Sequence, residues 1–192
     1  PEKSKIGVLL VNLGTPDGTD YRSMRKYLKQ FLMDKRVVDI FRPLWWLILN
    51  GPILTFRPSK SGKAYQKIWD KENYGSPLRK FTINQTSKIK KIFKNYKNIS
   101  IDYAMRYGTP EIEKTLNKMT EKGCSKILLV PLYPQYAAST SATVKDEVFK
   151  WMLKQRWQPD LRTIAPWFDD KQYIRALAET IKKNITNKKN ID

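Results

Sequence analysis

Short runs that are apolar at every position, such as Gly7-Val8-Leu9-Leu10-Val11 and Ile127-Leu128-Leu129-Val130, restrict the fold more than any other feature of the sequence. A strand with one wet face alternates polar and apolar residues with a period of two. A strand apolar throughout has both faces covered, usually in a parallel sheet packed between helices. Segments of this length and branching are Ile6 to Val11, Ile99 to Met105, Lys126 to Leu132 and Leu161 to Ala165.

Helical patterns separate them. Tyr21, Met24, Leu28, Phe31 and Leu32 fall on one face, with Thr19 or Asp20 placed to accept the first free amides. Pro110 is expected to open a helix that carries Glu111 and Glu113 near its amino terminus, Leu116 and Met119 on its apolar stripe, and Gly123 at its end. Leu78 to Tyr96, Thr140 to Gln155 and Lys171 to Ile185 read as further helices. Strand and helix therefore alternate, which predicts a doubly wound α/β domain with a parallel four-stranded sheet and right-handed crossovers. A chain of 192 residues is long enough for one such core. Residues 41–69 interrupt the alternation. Phe41 to Phe56 is too apolar for a surface loop, yet Pro43, Gly51 and Pro52 divide it. It reads either as an insertion lining a pocket mouth or as a helical hairpin on the core, and its adjacent tryptophans, flanked by Arg42 and Arg57, also suit a lipid interface.

The formal charge of +19 comes from 37 Lys and Arg against 18 Asp and Glu. Arg57 to Lys97 is the most basic stretch, its acids being Asp70 and Glu72. No recognition motif accompanies the charge, so solvated lysines are the reading and nucleic acid is not an expected partner. A lone cysteine, Cys124, and no histidine exclude an internal disulfide, a Ser-His-Asp triad and a Cys-His pair, and make a protein-only metal site poor. One thiol implies a reducing, cytoplasmic location. No apolar stretch reaches the about 18 residues that cross a bilayer. Pro1 to Lys5 lead straight into the first run, with no leader pattern.

In an open α/β sheet ligands bind beyond the carboxyl ends of the strands. Those places hold Asn12-Leu13-Gly14-Thr15-Pro16, Arg106-Tyr107-Gly108-Thr109-Pro110, Tyr133-Pro134-Gln135-Tyr136-Ala137-Ala138-Ser139-Thr140 and Pro166-Trp167. They are rich in rings and hydroxyls and lack a Gly-rich phosphate loop, so a nucleotide is disfavoured. A planar apolar ligand with carboxylates suits them, rings stacking on its faces and Arg106 or Arg57 forking onto an acid. Of the acids near the first helix, Asp20, Asp34 and Asp39 read as solvated charge.

Val8 to Pro16, followed by Phe31-Leu32-Met33-Asp34-Lys35-Arg36-Val37, resembles the opening of ferrochelatases. Arg57-Pro58, Tyr65, Gly75-Ser76-Pro77-Leu78, Met105-Arg106-Tyr107-Gly108 and Leu132 to Thr140 continue the likeness in order, from Lys5 to about Lys183. The resemblance implies a chelatase fold of two Rossmann-type halves enclosing a porphyrin cleft. This chain, 1–192, would supply the amino-terminal half, with residues 41–56 as the apolar lip. It implies porphyrin contacts at Leu13 on the macrocycle face, Arg57 and Ser76 at the propionates, Tyr65 nearby, and Arg106 with Tyr107 at the inner wall. The substrates would be ferrous iron and protoporphyrin IX, with no tightly bound cofactor.

The family's catalytic histidine lies on the next strand, so it is expected downstream of Asp192. No metal ligands are expected here, and this half alone is expected to be inactive. Family members with an iron-sulfur cluster use a cysteine where Ala138 stands, so no cluster is expected. The lip is expected to touch the inner face of the membrane peripherally. An isolated half exposes the face its other half would cover and is expected to self-associate. The alternative reading is a stand-alone porphyrin- or haem-binding module without catalysis.

Overall fold

A computed structural model describes residues 5–70 and 75–186. Pro1, Glu72 and the terminal Asn190-Ile191-Asp192 lie outside them. Strands β1 (Lys5–Thr15), β2 (Ile99–Gly108), β3 (Cys124–Pro131) and β4 (Asp160–Thr163) form one parallel sheet in the order β2-β1-β3-β4. The first crossover carries α1 (Tyr21–Met33), α2 (Arg42–Ile48), α3 (Leu54–Gln66) and α4 (Pro77–Ile92). The next two carry α5 (Ile112–Glu121) and α6 (Thr143–Lys154), and α7 (Lys171–Thr186) follows β4. The strand order reverses direction between β1 and β3, and a reversal of this kind opens a crevice at the strands' carboxyl ends.

The apolar runs are strands because both their faces find cover. Leu9, Val11, Ala104, Ile127 and Leu129 meet Leu116 and Met119 of α5 and Val144, Val148 and Trp151 of α6. Opposite, α4 lies across β1 and β2. Cover thins toward β3 and β4, where Val8, Leu128 and Val130 are only half-buried and a cleft of about 720 Å³ lies beside Ile6, Leu128 and Leu161.

Asp20, not Thr19, caps α1, its carboxylate accepting from the amides of Arg22 and Ser23. Pro110 does not open α5. Its carbonyl accepts from the Met105 amide at 2.7 Å and Glu111 bridges to Met105, so the chain stays tied to β2 until the helix starts at Ile112. The helices expected from Leu78 and Thr140 begin at Pro77 and Thr143, the latter after a wide turn at Ala138–Ala142.

β1 and β2 run further than their apolar cores. Leu13, Arg106 and Tyr107, expected just past the strands, lie within them, because pairing continues through Gly14 with Tyr107 and Thr15 with Gly108. Gly14 and Gly108 have φ of 103° and 86°. A β-carbon on Gly14 would run into the Tyr107 carbonyl, and one on Gly108 into that of Thr15. Gly14→Ala is expected to destabilise the chain by at least about 2 kcal/mol, from left-handed strain and overpacking together, as read from urea unfolding.

Candidate functional site

Beyond the carboxyl ends of β1 and β2, α1, α2 and α3 enclose a second apolar cluster of Tyr27, Leu28, Leu32, Trp45, Leu49, Leu54 and Tyr107. Leu13 packs against it. Phe31 meets Tyr107 edge-on at 5.2 Å, Tyr27 lies parallel to Phe31 at 6.3 Å, and Tyr65 meets Tyr27 edge-on at 6.5 Å. Three of the six residues singled out in the sequence, Leu13, Tyr65 and Tyr107, therefore share one aromatic wall.

Arg57 lies on α3, eight residues and about 12 Å of helix before Tyr65. With Pro52, Ile53, Phe56, Lys60 and Ala64 it lines an open cleft of about 620 Å³. Lys60, one turn on from Arg57, adds a second cation that the sequence reading had not picked out. Ser76 is buried and caps α4, its hydroxyl accepting from the Arg79 amide at 3.2 Å. The neighbouring Gly75, at φ 71°, packs on the Trp69 ring, which lies 6.4 Å from that of Tyr65.

Arg106 is placed differently. Its guanidinium donates to Oδ2 of Asp34 at 2.6 Å and pairs with Glu147 at 3.4 Å, while Nε donates to the carbonyl and hydroxyl oxygens of Thr143. The acids it forks onto belong to its own chain. Asp34 is not solvated as expected: its side chain is 8% exposed, since it closes α1 beneath the strand ends. Tyr107 Oη donates to the same carboxylate oxygen at 2.8 Å, as does the Thr143 hydroxyl, and Oδ1 accepts from the Arg36 amide at 2.8 Å. Asp34 stands inside the Phe31 to Val37 stretch quoted for the resemblance, but a lone acid after a helix carries no signal of burial. Thr143 and Glu147 gave no signal either, being ordinary helix-start residues.

Burial alone pushes the Asp34 carboxyl up. The Thr143 hydroxyl, the Arg36 amide, the Tyr107 phenol and the Arg106 charge together outweigh it and hold the group below its usual range. Burial, partly offset by Thr143 and Arg106 and reinforced by Asp34, pushes Tyr107 up to about 12. Tyr27 and Tyr133 are raised as well, again chiefly by burial. Among the described residues no group of three or more His, Cys, Asp or Glu is placed to hold a metal ion.

In the apolar segment 41–56, α2 presents its two tryptophans differently, because successive helical residues point about 100° apart. Trp45 is buried and its indole donates to the Leu32 carbonyl at 2.8 Å, whereas Trp46 faces outward with Phe41, Leu44, Leu47 and Phe56. Among the described residues no helix is long and apolar enough to cross a membrane.

A doubly wound α/β chain whose switch-point crevice is walled by rings and flanked by cations is the class these features define. The sequence model of the ferrochelatase family matches residues 5–192. Ferrochelatase from Rhizobium etli (strain CFN 42) is 51% identical over 186 residues, 97% of this chain and 54% of that protein. Ferrochelatases from Allorhizobium ampelinum and Agrobacterium fabrum are 53% and 52% identical over 183 and 181 residues, covering 95% and 94% of this chain and 53% of each relative. The chain belongs to the ferrochelatase family, and it spans about half the length of the curated relatives it matches.

The Asp34 carboxylate is depressed in the fold, so the stability it contributes is present above the unfolded carboxyl value of about 3.9 and is lost as pH falls through the folded value. Asp34→Asn is expected to remove this acid-limb contribution. Melting temperatures measured from pH 7 down to pH 3 should fall less steeply in the variant than in the parent.

Proposed function

We propose that the full-length protein bearing this chain is a ferrochelatase, inserting ferrous iron into protoporphyrin IX to give protohaem with release of two protons. The observation that carries the reading is the junction of the aromatic wall with the cleft beside α3. Leu13, Tyr65 and Tyr107 offer apolar and ring surface to a flat macrocycle, and Arg57 and Lys60 offer two cations at the cleft where propionates would lie. Ser76, being buried as a helix cap, holds α4 in place beside this wall, and its contribution to the propionates is through that position.

Insertion needs an acceptor for the two pyrrole protons with an affinity matched to neutral pH. The groups beyond these strand ends are poorly matched. Tyr107, at about 12, and the raised Tyr27 and Tyr133 stay neutral phenols, and Asp34 is a weaker base than an ordinary carboxylate. The chain holds no histidine. The acceptor is therefore assigned to polypeptide beyond residue 192, and residues 1–192 alone do not metallate porphyrin. No iron-sulfur cluster or other tightly held cofactor belongs to this half. Two further properties go with the reading. The outward Trp46, Leu47 and Phe56, beside Arg57 and Lys60, make the lip a peripheral contact for the cytoplasmic membrane face. The exposed stripe of Ile174, Leu177, Ile181 and Ile185 on α7 makes the isolated half self-associate.

Full-length protein mixed with protoporphyrin IX and ferrous or zinc ion is expected to yield the metalloporphyrin, followed by its visible spectrum. Residues 1–192 should give none, and turnover by them would overturn the assignment of the proton acceptor. Arg57→Ala with Lys60→Ala is expected to raise the porphyrin KM about 10-fold or more, as loss of charge-assisted bonds worth about 1.5–3 kcal/mol each requires. On vesicles of anionic phospholipid, Trp46→Ser with Leu47→Ser should lower the sedimented fraction of the full-length protein.

A further inference from the structure

Residues 106 and 107 are consecutive in β2, so their side chains leave the sheet on opposite faces. Tyr107 enters the aromatic cluster with α1, α2 and α3, and Arg106 turns to Thr143 and Glu147 of α6. Both nevertheless end on one atom, Oδ2 of Asp34. The Thr143 hydroxyl, from the α6 side, donates there too. The carboxylate thus joins the helical layers on the two sides of the sheet at the end of β2. The guanidinium is further fixed by its position 4.5 Å over the Tyr107 ring and by the two Thr143 oxygens at its Nε. Among the described residues the bonds of the guanidinium run through Nε and Nη2.

We propose that Asp34 is a positioning residue of the site, holding Arg106 and Tyr107 in a single arrangement at its wall, an inference that rests on the reading of the chain as part of a ferrochelatase. Asp34 touches no substrate. It acts by taking one donor from each of the two side chains, so that the Arg106 guanidinium and the Tyr107 ring keep fixed places as the macrocycle distorts and metal enters. Three donors crowd onto Oδ2, more than its two lone-pair directions, and the Arg36 amide holds Oδ1, so the carboxylate is fixed through both oxygens. Arg106 is correspondingly withheld from the propionates, which fall to Arg57 and Lys60. A site that bound porphyrin through Arg106 as a carboxylate clamp would leave that guanidinium free of its own chain's acids.

The test uses the full-length protein. Asp34→Asn keeps the shape and removes the charge. It is expected to lower kcat about 10–100-fold, the range for groups that orient a functional side chain, while the porphyrin KM stays within about 2-fold. In an Arg106→Gln, Tyr107→Phe background the same change should cost almost nothing further, because the groups through which it acts are gone. An unchanged kcat, or an equal loss in both backgrounds, would overturn the proposal, as would a rise in KM with kcat intact.

If Asp34→Asn does not fold, as judged by its melting curve, Thr143→Val carries the test, since it removes one of the donors to Oδ2 and leaves the ion pair. A lower kcat at constant KM supports the proposal, and parental kcat sinks it. Failure of the parent to metallate porphyrin would instead refute the functional reading. The positioning claim then stands or falls on exchange of the Tyr107 hydroxyl proton, which is donated to Asp34 and which NMR should find slow in the parent and faster in Asp34→Asn.

Discussion

β1 and β2 come together at their ends only where a side chain is missing from each. In a parallel pair the backbones lie about 4.8 Å apart along the hydrogen-bonding direction, and here a β-carbon at 14 or 108 would run into a carbonyl of the facing strand. With glycine at 14 and 108, both at positive φ, pairing survives to Thr15 and Gly108. That extension decides what kind of site the edge can hold. It turns Leu13, Arg106 and Tyr107 from loop residues, free to fold over a ligand, into strand residues whose directions are set by the pleat.

A rigid edge then has to be neutralised internally. Arg106 is 11% exposed, and a buried guanidinium without partners would cost several kcal/mol. Asp34, Glu147 and Thr143 meet that need, while the exposed Arg36 to Asp146 pair, bidentate at 2.7 and 3.0 Å, ties the segment after α1 to α6 from outside. Solvent-exposed pairs contribute little by themselves, so the inner pair and its hydrogen bonds set the geometry and the outer one follows. The apolar segment 41–56 is fastened to the same place. Trp45 and Arg42 donate to the Leu32 and Met33 carbonyls that end α1, so the start of the apolar segment hangs from the helix that Asp34 closes.

The sheet could be read from the sequence because apolar runs without alternation leave few other solutions, and all four were placed within their strands' neighbourhoods. Their ends could not be read so well. β1 and β2 outrun their apolar cores by pairing that depends on glycine conformation, and Pro110 looked like a helix start because proline suits a first turn, although here its carbonyl serves the strand. Leu13, Tyr65 and Tyr107 were named through the resemblance, and the structure sets them on one aromatic wall. Asp34 was missed because burial of an acid depends on donors arriving from residues 106, 107 and 143, a convergence that local spacing does not encode. Lys60 was passed over for a related reason: in a chain with so many lysines, one beside an apolar cleft has the same local sequence as one facing water.

The charge of the whole chain and the charge of the site therefore obey different rules. The excess of +19 is carried largely on helix surfaces, where water screens it, and it has little bearing on what the strand edge binds. At the edge the formal charges of Arg106 and Asp34 cancel, the phenols are neutral, and the surface offered to a ligand is ring and aliphatic carbon. Among the described residues, cations outside any ion pair stand at the cleft beside α3, Arg57 and Lys60, and beyond β3, Lys145. A flat molecule that is apolar through its centre and acidic at one margin matches that division, its acids drawn toward α3 and its centre toward the wall that Tyr107 and Leu13 present. Under the proposed reading the fixed pair at 106 and 107 would meet the middle of such a ligand rather than its charged rim, where holding a shape matters more than holding a charge.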